Sequence, residues 1–283
     1  MSPHLQEIRD QQKASWNKFS PGWKKWNEIT MDFLKPMGDE IIHSLNPKGN
    51  EEVLDIAGGT GEPGLTIASM LPGGKVTIAD ISKDMLEIAR ENALKREINN
   101  VETLVCDVCE LPFDDDSFDT ISCRFGFMFF PDMLIAIKEL VRVMRPGGKI
   151  ATSVWNVPDK NFWITAMGGT INRNMQLPAT QPGAPGMFRC SESGLIEDLF
   201  LQAGLINTSE KEIAGKLKCG TADAYWNMMT EVAAPFVSAL NNANDALKEK
   251  IKEEVIQAVN QRYPNGNVHF DSSALVIYGE KLS

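Results

Sequence analysis

Val53-Leu54-Asp55-Ile56-Ala57-Gly58-Gly59-Thr60-Gly61-Glu62-Pro63 decides the fold. A short apolar run ends, a turn holding Gly58, Gly59 and Gly61 follows, and Pro63 stands near the first turn of a helix. Strand, glycine turn and helix together open a parallel α/β unit. Glycines are needed where backbone passes close to a ligand or takes a positive φ. The helix start adds free N–H groups. A ligand site at this turn is the first expectation.

The stretch also contains Gly59-x-Gly61-x-x-Gly64, which matches the dinucleotide fingerprint. Asp80 follows at the end of the next strand, where either kind of site wants a carboxylate for ribose hydroxyls. Glycines and Asp80 therefore leave a nicotinamide-dependent oxidoreductase open. Asp55 weighs against it. A carboxylate beneath the turn repels a pyrophosphate and suits a ligand that carries an ammonium group.

Outward from the turn the alternation continues. Glu52–Ile56, Lys75–Ala79, Val101–Cys106, Phe118–Cys123 and Lys149–Trp155 read as strands. Pro63–Met70, Ser82–Arg96 and Asp132–Met144 read as the helices between them, the second with Met85, Leu86, Ile88 and Ala89 on its apolar face. Beyond Trp155 the rhythm loosens. Leu177–Gly186, with three prolines and two glycines, reads as a loop. Ser191–Ala203 reads as a helix closed by Gly204. Asn207–Ile213 is a candidate sixth strand, and Leu275–Tyr278 a last short one. From Ala222 to about Arg262 the chain reads as helical, with Leu247, Ile251, Val255 and Val259 in one stripe.

Composition excludes rather than selects. The chain has 283 residues, 43% of them hydrophobic, enough for a full core. Its net charge of −10 makes nucleic acid a poor partner. Five scattered cysteines argue against a disulfide framework, and the lone Cys106–Cys109 pair lacks the further donors a zinc site needs. Met1–Asp10 is polar, and no apolar run reaches the roughly 20 residues of a membrane span, so a cytoplasmic setting is expected.

The order Leu54-Asp55 with its glycine turn, Asp80, Asp107-Val108, Phe118-Asp119 and Arg145-Pro146-Gly147-Gly148 resembles the class I S-adenosylmethionine-dependent methyltransferases. Within them it is most similar to the ubiquinone/menaquinone-biosynthesis group. Gly61-Glu62-Pro63 and Arg124-Phe125-Gly126 are similar to bacterial members, while Gly58-Gly59 replaces the more usual small-Gly pair. The resemblance implies an α/β, Rossmann-like sheet of seven mostly parallel strands with an added helical cap. It divides the chain into an N-terminal helical lid over 1–50, a cofactor-binding core over 51–155, and the rest of the sheet over 156–283 with an acceptor-side cap at 222–262.

It also implies roles. Gly58, Gly59 and Gly61 lie along the methionine moiety of S-adenosylmethionine, and Asp55 suits its ammonium. Asp80 binds the ribose hydroxyls, with Ile81 beside the adenine. Asp107 and Val108 hold the adenine, Met85 packs on it or stays in the core, and the backbone at Arg124 meets the methionine end.

Methyl transfer is an in-line displacement with a neutral leaving group, so positioning and desolvation suffice unless the nucleophile starts protonated. No triad is present, His4, His43 and His269 read as structural, and no catalytic base is named. The acceptor is expected to be a small apolar or aromatic molecule, methylated on oxygen or carbon. Trp16, Phe19, Trp23, Trp26, Trp155, Trp163, Phe188, Tyr225 and Trp226 are candidate walls. Residues 222–262 read either as that cap or as a homodimer face, because Tyr225, Trp226, Met228 and Met229 form an apolar cluster. A non-catalytic ligand-binding protein on the same fold stays open beside these readings.

Overall fold

The computed structural model describes residues 2–177 and 183–283, so residues 178–182 of the expected loop lie outside the described residues. The chain opens with helices α1 (Pro3–Lys25) and α2 (Asn27–Leu45), then alternates β1 (Glu52–Ile56), α3 (Gly64–Met70), β2 (Lys75–Asp80), α4 (Lys83–Lys95), β3 (Val101–Val105), β4 (Phe118–Arg124), α5 (Met133–Val143) and β5 (Met144–Trp155). It continues through α6 (Phe162–Met175), α7 (Leu195–Gln202), β6 (Leu205–Gly220), α8 (Ala222–Val232), α9 (Ala234–Leu240), α10 (Asp245–Arg262) and β7 (Val268–Lys281).

Among the described residues, seven strands form one sheet in the order β3-β2-β1-β4-β5-β7-β6. Strands β1 to β5 are parallel, and β7 runs antiparallel to both β5 and β6. The expected α/β sheet is therefore the observed one. The order reverses between β1 and β4, and a ligand crevice belongs at the carboxyl ends of strands at such a point.

Helix starts follow local chemistry. Ser82 accepts the Met85 N–H at 3.2 Å and opens α4. Asp132 accepts the Ile135 N–H at 2.9 Å and opens α5, and Asn244 does the same for Leu247 at 2.9 Å in α10. The expected stripe on α10 is buried at Ile251, Val255 and Val259.

Three boundaries differ from expectation. The helical stretch over 222–262 is broken at Ala233, where Pro235 follows, and again at 241–244. β6 and β7 extend far beyond Asn207–Ile213 and Leu275–Tyr278, pairing as a long antiparallel ribbon. The first fifty residues divide in two. α2 packs against the sheet and buries Phe33, Leu34, Met37, Ile41 and Leu45, so it is a core layer. α1 alone lies across the outside, against α4 and α8.

Candidate active site

A cavity of about 540 Å³ opens at the carboxyl ends of β1, β2, β3 and β4, beneath α1 and beside α8 and α9. Its size is within the range of small-molecule sites. One end is polar and belongs to the strand ends. The other is apolar and aromatic.

At the polar end the glycine turn and Asp80 form one unit. Gly59 has φ +54°, and a Cβ there meets nothing within 4 Å, so its face is open to the cavity. The Gly59 N–H donates to Asp80 Oδ2 at 2.9 Å, and the Ser82 N–H donates to Oδ1 at 2.8 Å. These bonds orient the carboxylate and leave a free lone pair on each oxygen. Burial pushes Asp80 above the ordinary carboxylate range, while the backbone donors pull it back. Ile81, Met85, Cys106, Asp107 and Val108 continue the wall. Burial pushes the Cys106 thiol up to about 12, so it stays protonated.

Asp107 supplies the most specific sign of a ligand. Its Oδ1 accepts the Cys109 N–H at 2.9 Å. Its Oδ2 is buried with no partner. A buried acceptor left unpaired is unfavourable by about 1–3 kcal/mol, and a donor such as an adenine amino group removes that penalty.

Asp55 is placed otherwise than expected. It lies wholly buried behind the turn, off the cavity wall. Its Oδ1 accepts from Ser122 Oγ at 2.6 Å and its Oδ2 from the Gly64 N–H at 3.0 Å. Burial pushes its pKa up to about 7, against the pull of Ser122, Gly64 and Arg124. The carboxyl thus fixes the turn to α3 rather than facing a ligand. It also occupies the helix-start amide that a pyrophosphate would use, which counts against the nicotinamide reading. Gly61 is likewise off the wall, turned onto Leu65. The charged side chains on the wall beside the turn are instead Glu62 and Arg124.

The aromatic end is built on Trp155. Phe125 stacks on it with ring centroids 4.1 Å apart, Phe33 at 5.6 Å, and Trp163 meets it edge-on at 4.9 Å. Phe125 is held at φ +62°, an uncommon conformation for a bulky residue, and its N–H donates to Ser153 O at 3.0 Å. Met31, Met128, Met228 and Met229 line the same cavity. Trp16 and Trp23 reach the wall from α1, and Trp16 packs edge-on against Phe129 at 5.2 Å.

The other expected walls stand elsewhere. Phe19 is buried off the cavity, and Trp26 Nε1 donates to Glu231 Oε2 at 2.8 Å. Phe188 and Trp226 do not reach it, while Tyr225 supports Trp163 from behind by donating to its carbonyl oxygen. Tyr225, Trp226, Met228 and Met229 are all turned inward, so they present no exposed face to a second copy. His4, His43 and His269 are absent from the wall, and none of the described residues groups into a three-ligand metal site. The sequence reading missed Phe33, Met31, Phe125 and Glu62. One signal was present: Phe125, Phe127, Phe129 and Phe130 crowd the segment between β4 and Asp132, too apolar a run for a surface loop.

Comparison with known proteins places this architecture. Residues 23–159 match the model of the ubiE/COQ5 methyltransferase family. A demethylmenaquinone methyltransferase of Listeria monocytogenes is 32% identical over 148 residues, covering 50% of this chain and 62% of that protein. The chain thus spans about three fifths of the length of that curated relative. The YcgJ protein of Bacillus subtilis superposes with a TM-score of 0.59 at 21% identity over 87% of this chain and 98% of its own. Phosphoethanolamine N-methyltransferase 2 of Haemonchus contortus, solved with S-adenosyl-L-methionine, gives 0.53 at 18% identity over 87% and 52%. The fold is that of the class I methyltransferases, and the resemblance to the ubiquinone/menaquinone-biosynthesis group is borne out over residues 23–159.

Proposed function

We propose, from the match of residues 23–159 to the ubiE/COQ5 methyltransferase family, that this protein transfers a methyl group from S-adenosylmethionine to a small apolar or aromatic acceptor. The observation that carries the reading is a single cavity with oriented carboxylates at one end and stacked aromatic rings at the other. Asp80 takes the ribose hydroxyls. Asp107 Oδ2 takes the adenine amino group, and Ile81, Met85 and Val108 enclose the ring. Gly58 and Gly59 flank the methionine chain. Asp55 and Gly61 hold the turn in shape from behind.

When bound, S-adenosylmethionine supplies a sulfonium methyl group whose displacement leaves a neutral thioether. The chain contributes alignment and exclusion of water, the terms that govern such a displacement. Phe33, Phe125, Trp155 and Trp163 offer flat apolar walls and no proton acceptor at the ring end. An acceptor suited to them brings its own nucleophile, as an acidic ring hydroxyl or an electron-rich ring carbon does. The name of the Listeria relative, a demethylmenaquinone methyltransferase, supports a quinone-related ring. The cysteines of the described residues are unpaired, which fits a reducing, cytoplasmic setting. Among the described residues no helix is long and apolar enough to cross a membrane.

The test is release of S-adenosylhomocysteine from a panel of hydroquinones, catechols and phenols graded by hydroxyl pKa. The expected rate profile against pH follows the ionisation of the acceptor. Calorimetric binding of NADH without binding of S-adenosylmethionine would restore the oxidoreductase reading. Tight cofactor binding without turnover on any ring acceptor would favour a non-catalytic ligand-binding protein.

A further inference from the structure

We infer that Arg189 is a positioning residue: it clamps the segment 183–190 onto the turn Phe127–Phe129 and so fixes Pro185 and Met187 as the wall that limits the size of the acceptor. This rests on the acceptor reading above. Among the described residues, Pro185 and Met187 are what the stretch between α6 and α7 contributes to the cavity wall. Neither lies in a helix or strand, so no ladder or helical turn holds them. Side contacts hold the segment instead. The Gly186 N–H donates to the Met128 carbonyl oxygen at 3.1 Å. Arg189 Nη1 donates to the Phe130 carbonyl oxygen. Cys190 is buried, with its Sγ 3.5 Å from Met133 Sδ. The part of the chain that accepts the two hydrogen bonds is itself firm. Phe127, Met128 and Phe130 are buried, and Phe127 packs on Phe200 with ring centroids 6.1 Å apart. Arg189 makes the stronger of the two bonds, since a cationic donor is roughly twice as effective as a neutral one. The rest of its guanidinium has little to do: Nε is buried without a partner, and burial lowers the pKa. The one carbonyl it reaches therefore sets its place.

The clamp joins two parts of one wall, because Met128, Phe129 and Phe130 line the cavity as Pro185 and Met187 do. Its chemistry points to the acceptor. Proline has no N–H, and a thioether is only a weak acceptor, so these two side chains suit a ring and its substituents better than the polar groups of the cofactor. The segment also continues from α6, the helix that carries Trp163 into the aromatic end. Asp80 and Asp107 take their hydrogen bonds from Gly59, Ser82 and Cys109, none of them in the segment. Loss of the clamp therefore lets Pro185 and Met187 move off and leaves those carboxylates in place.

The test uses the full chain with hydroquinone and tert-butylhydroquinone as a small and a bulky ring, and reads S-adenosylhomocysteine release. Met187→Ala should shift the ratio of kcat/KM values toward the bulky ring by about tenfold, the scale on which an apolar pocket discriminates size. Arg189→Met keeps the length of the side chain and removes the donor, and should shift the ratio the same way. Arg189→Lys keeps a cationic donor and should restore most of the wild-type ratio. Calorimetric affinity for S-adenosylhomocysteine should be unchanged in all three variants. Hydrogen exchange over 183–190 should rise in Arg189→Met, with the sheet as protected as in wild type. An unchanged ratio in Met187→Ala or Arg189→Met overturns the inference, and so does unchanged exchange over 183–190. Weaker S-adenosylhomocysteine binding with the ratio intact would place the segment against the cofactor and overturn it as well. Turnover of neither ring by the wild type counts against the acceptor reading instead, and exchange over 183–190 still decides the clamp.

Discussion

The Gly59 N–H and the Asp80 carboxylate are joined at 2.9 Å across two strands, so the turn and this carboxylate move as one. The local sequence explains both halves. Gly59 needs the positive φ that presents its N–H, and Asp80 is the last residue of a strand paired in register with β1. Removing the carboxylate takes away acceptors for the ligand and also unties the turn. Asp80→Ala should weaken S-adenosylhomocysteine binding by about tenfold to a hundredfold. Asp80→Asn should be nearly as damaging, because its NH₂ must point at either the Gly59 or the Ser82 N–H. Calorimetric affinity of Asp80→Asn equal to wild type would show that the carboxylate does not face the ligand.

Asp107 makes a sharper case, because one of its oxygens is spoken for and the other is not. Wild type should discriminate S-adenosylhomocysteine from its inosine analogue, which presents an oxygen where the amino group was. The expected preference is about tenfold or more, as for other sites with a buried polar group left unpaired. Asp107→Asn can turn its NH₂ toward that oxygen, and the preference should shrink or invert. Unaltered discrimination in Asp107→Asn would place the adenine elsewhere.

How much of this was legible in the sequence depends on whether a signal is local. β1 to β5 are short apolar runs between turn residues, buried in a parallel sheet, and their order is written plainly. β6 is an edge strand rich in charged and small residues, so only Asn207–Ile213 of Leu205–Gly220 reads as strand. Asp80 and Asp107 were legible because a strand end fixes where they point. Phe33 and Met31 were not, since they reach the cavity only when α2 folds onto the sheet, a contact that no periodicity encodes. Asp55 misled for a related reason. Its position beneath the turn was correct, but the nearest donors, Ser122 and Gly64, belong to β4 and the start of α3.

Asp55 also sets a pH dependence. Its pKa rises from the ordinary 3.8 to about 7, because burial disfavours its charged form. The folded state therefore holds this proton more tightly than the unfolded chain. The stability it confers is complete below 3.8 and is lost as pH rises toward about 7, after which no further change follows. Asp55→Asn cannot ionise, still accepts from the Gly64 N–H, and can donate to Ser122 Oγ. Its stability relative to wild type should rise between about pH 4 and pH 7 and then level off. Urea denaturation at a series of pH values measures this difference, and a flat difference across the window would show that Asp55 is ionised throughout.

α1 is held over the cavity through Asn17 and Ser82. Asn17 Oδ1 accepts from Ser82 Oγ at 2.7 Å, and the Ser82 N–H donates to Asp80 Oδ1 at 2.8 Å. The outer helix is thus tied to the Asp80 carboxylate through a single serine. Further along α1, Trp23 Nε1 donates to the Val232 carbonyl oxygen at 3.2 Å, and Gly22 lies so close to Glu231 that a Cβ would sit 2.0 Å from its carbonyl oxygen. These contacts anchor the carboxyl half of α1 to α8. Residues 2–12 lie before all of them and are mostly exposed. Residues 3–20 should therefore exchange amide hydrogens faster than the sheet, and slow down when S-adenosylhomocysteine binds. Asn17→Ala should cut the link, leave the sheet protected, raise exchange over 3–20, and speed dissociation of the ligand. Because α2 is a core layer, truncation should stop at residue 20, where it removes the moving part and spares the fold. If exchange over 3–20 matches the sheet with and without ligand, and Asn17→Ala changes neither exchange nor dissociation, then α1 is fixed structure and the cavity exchanges its contents by another route.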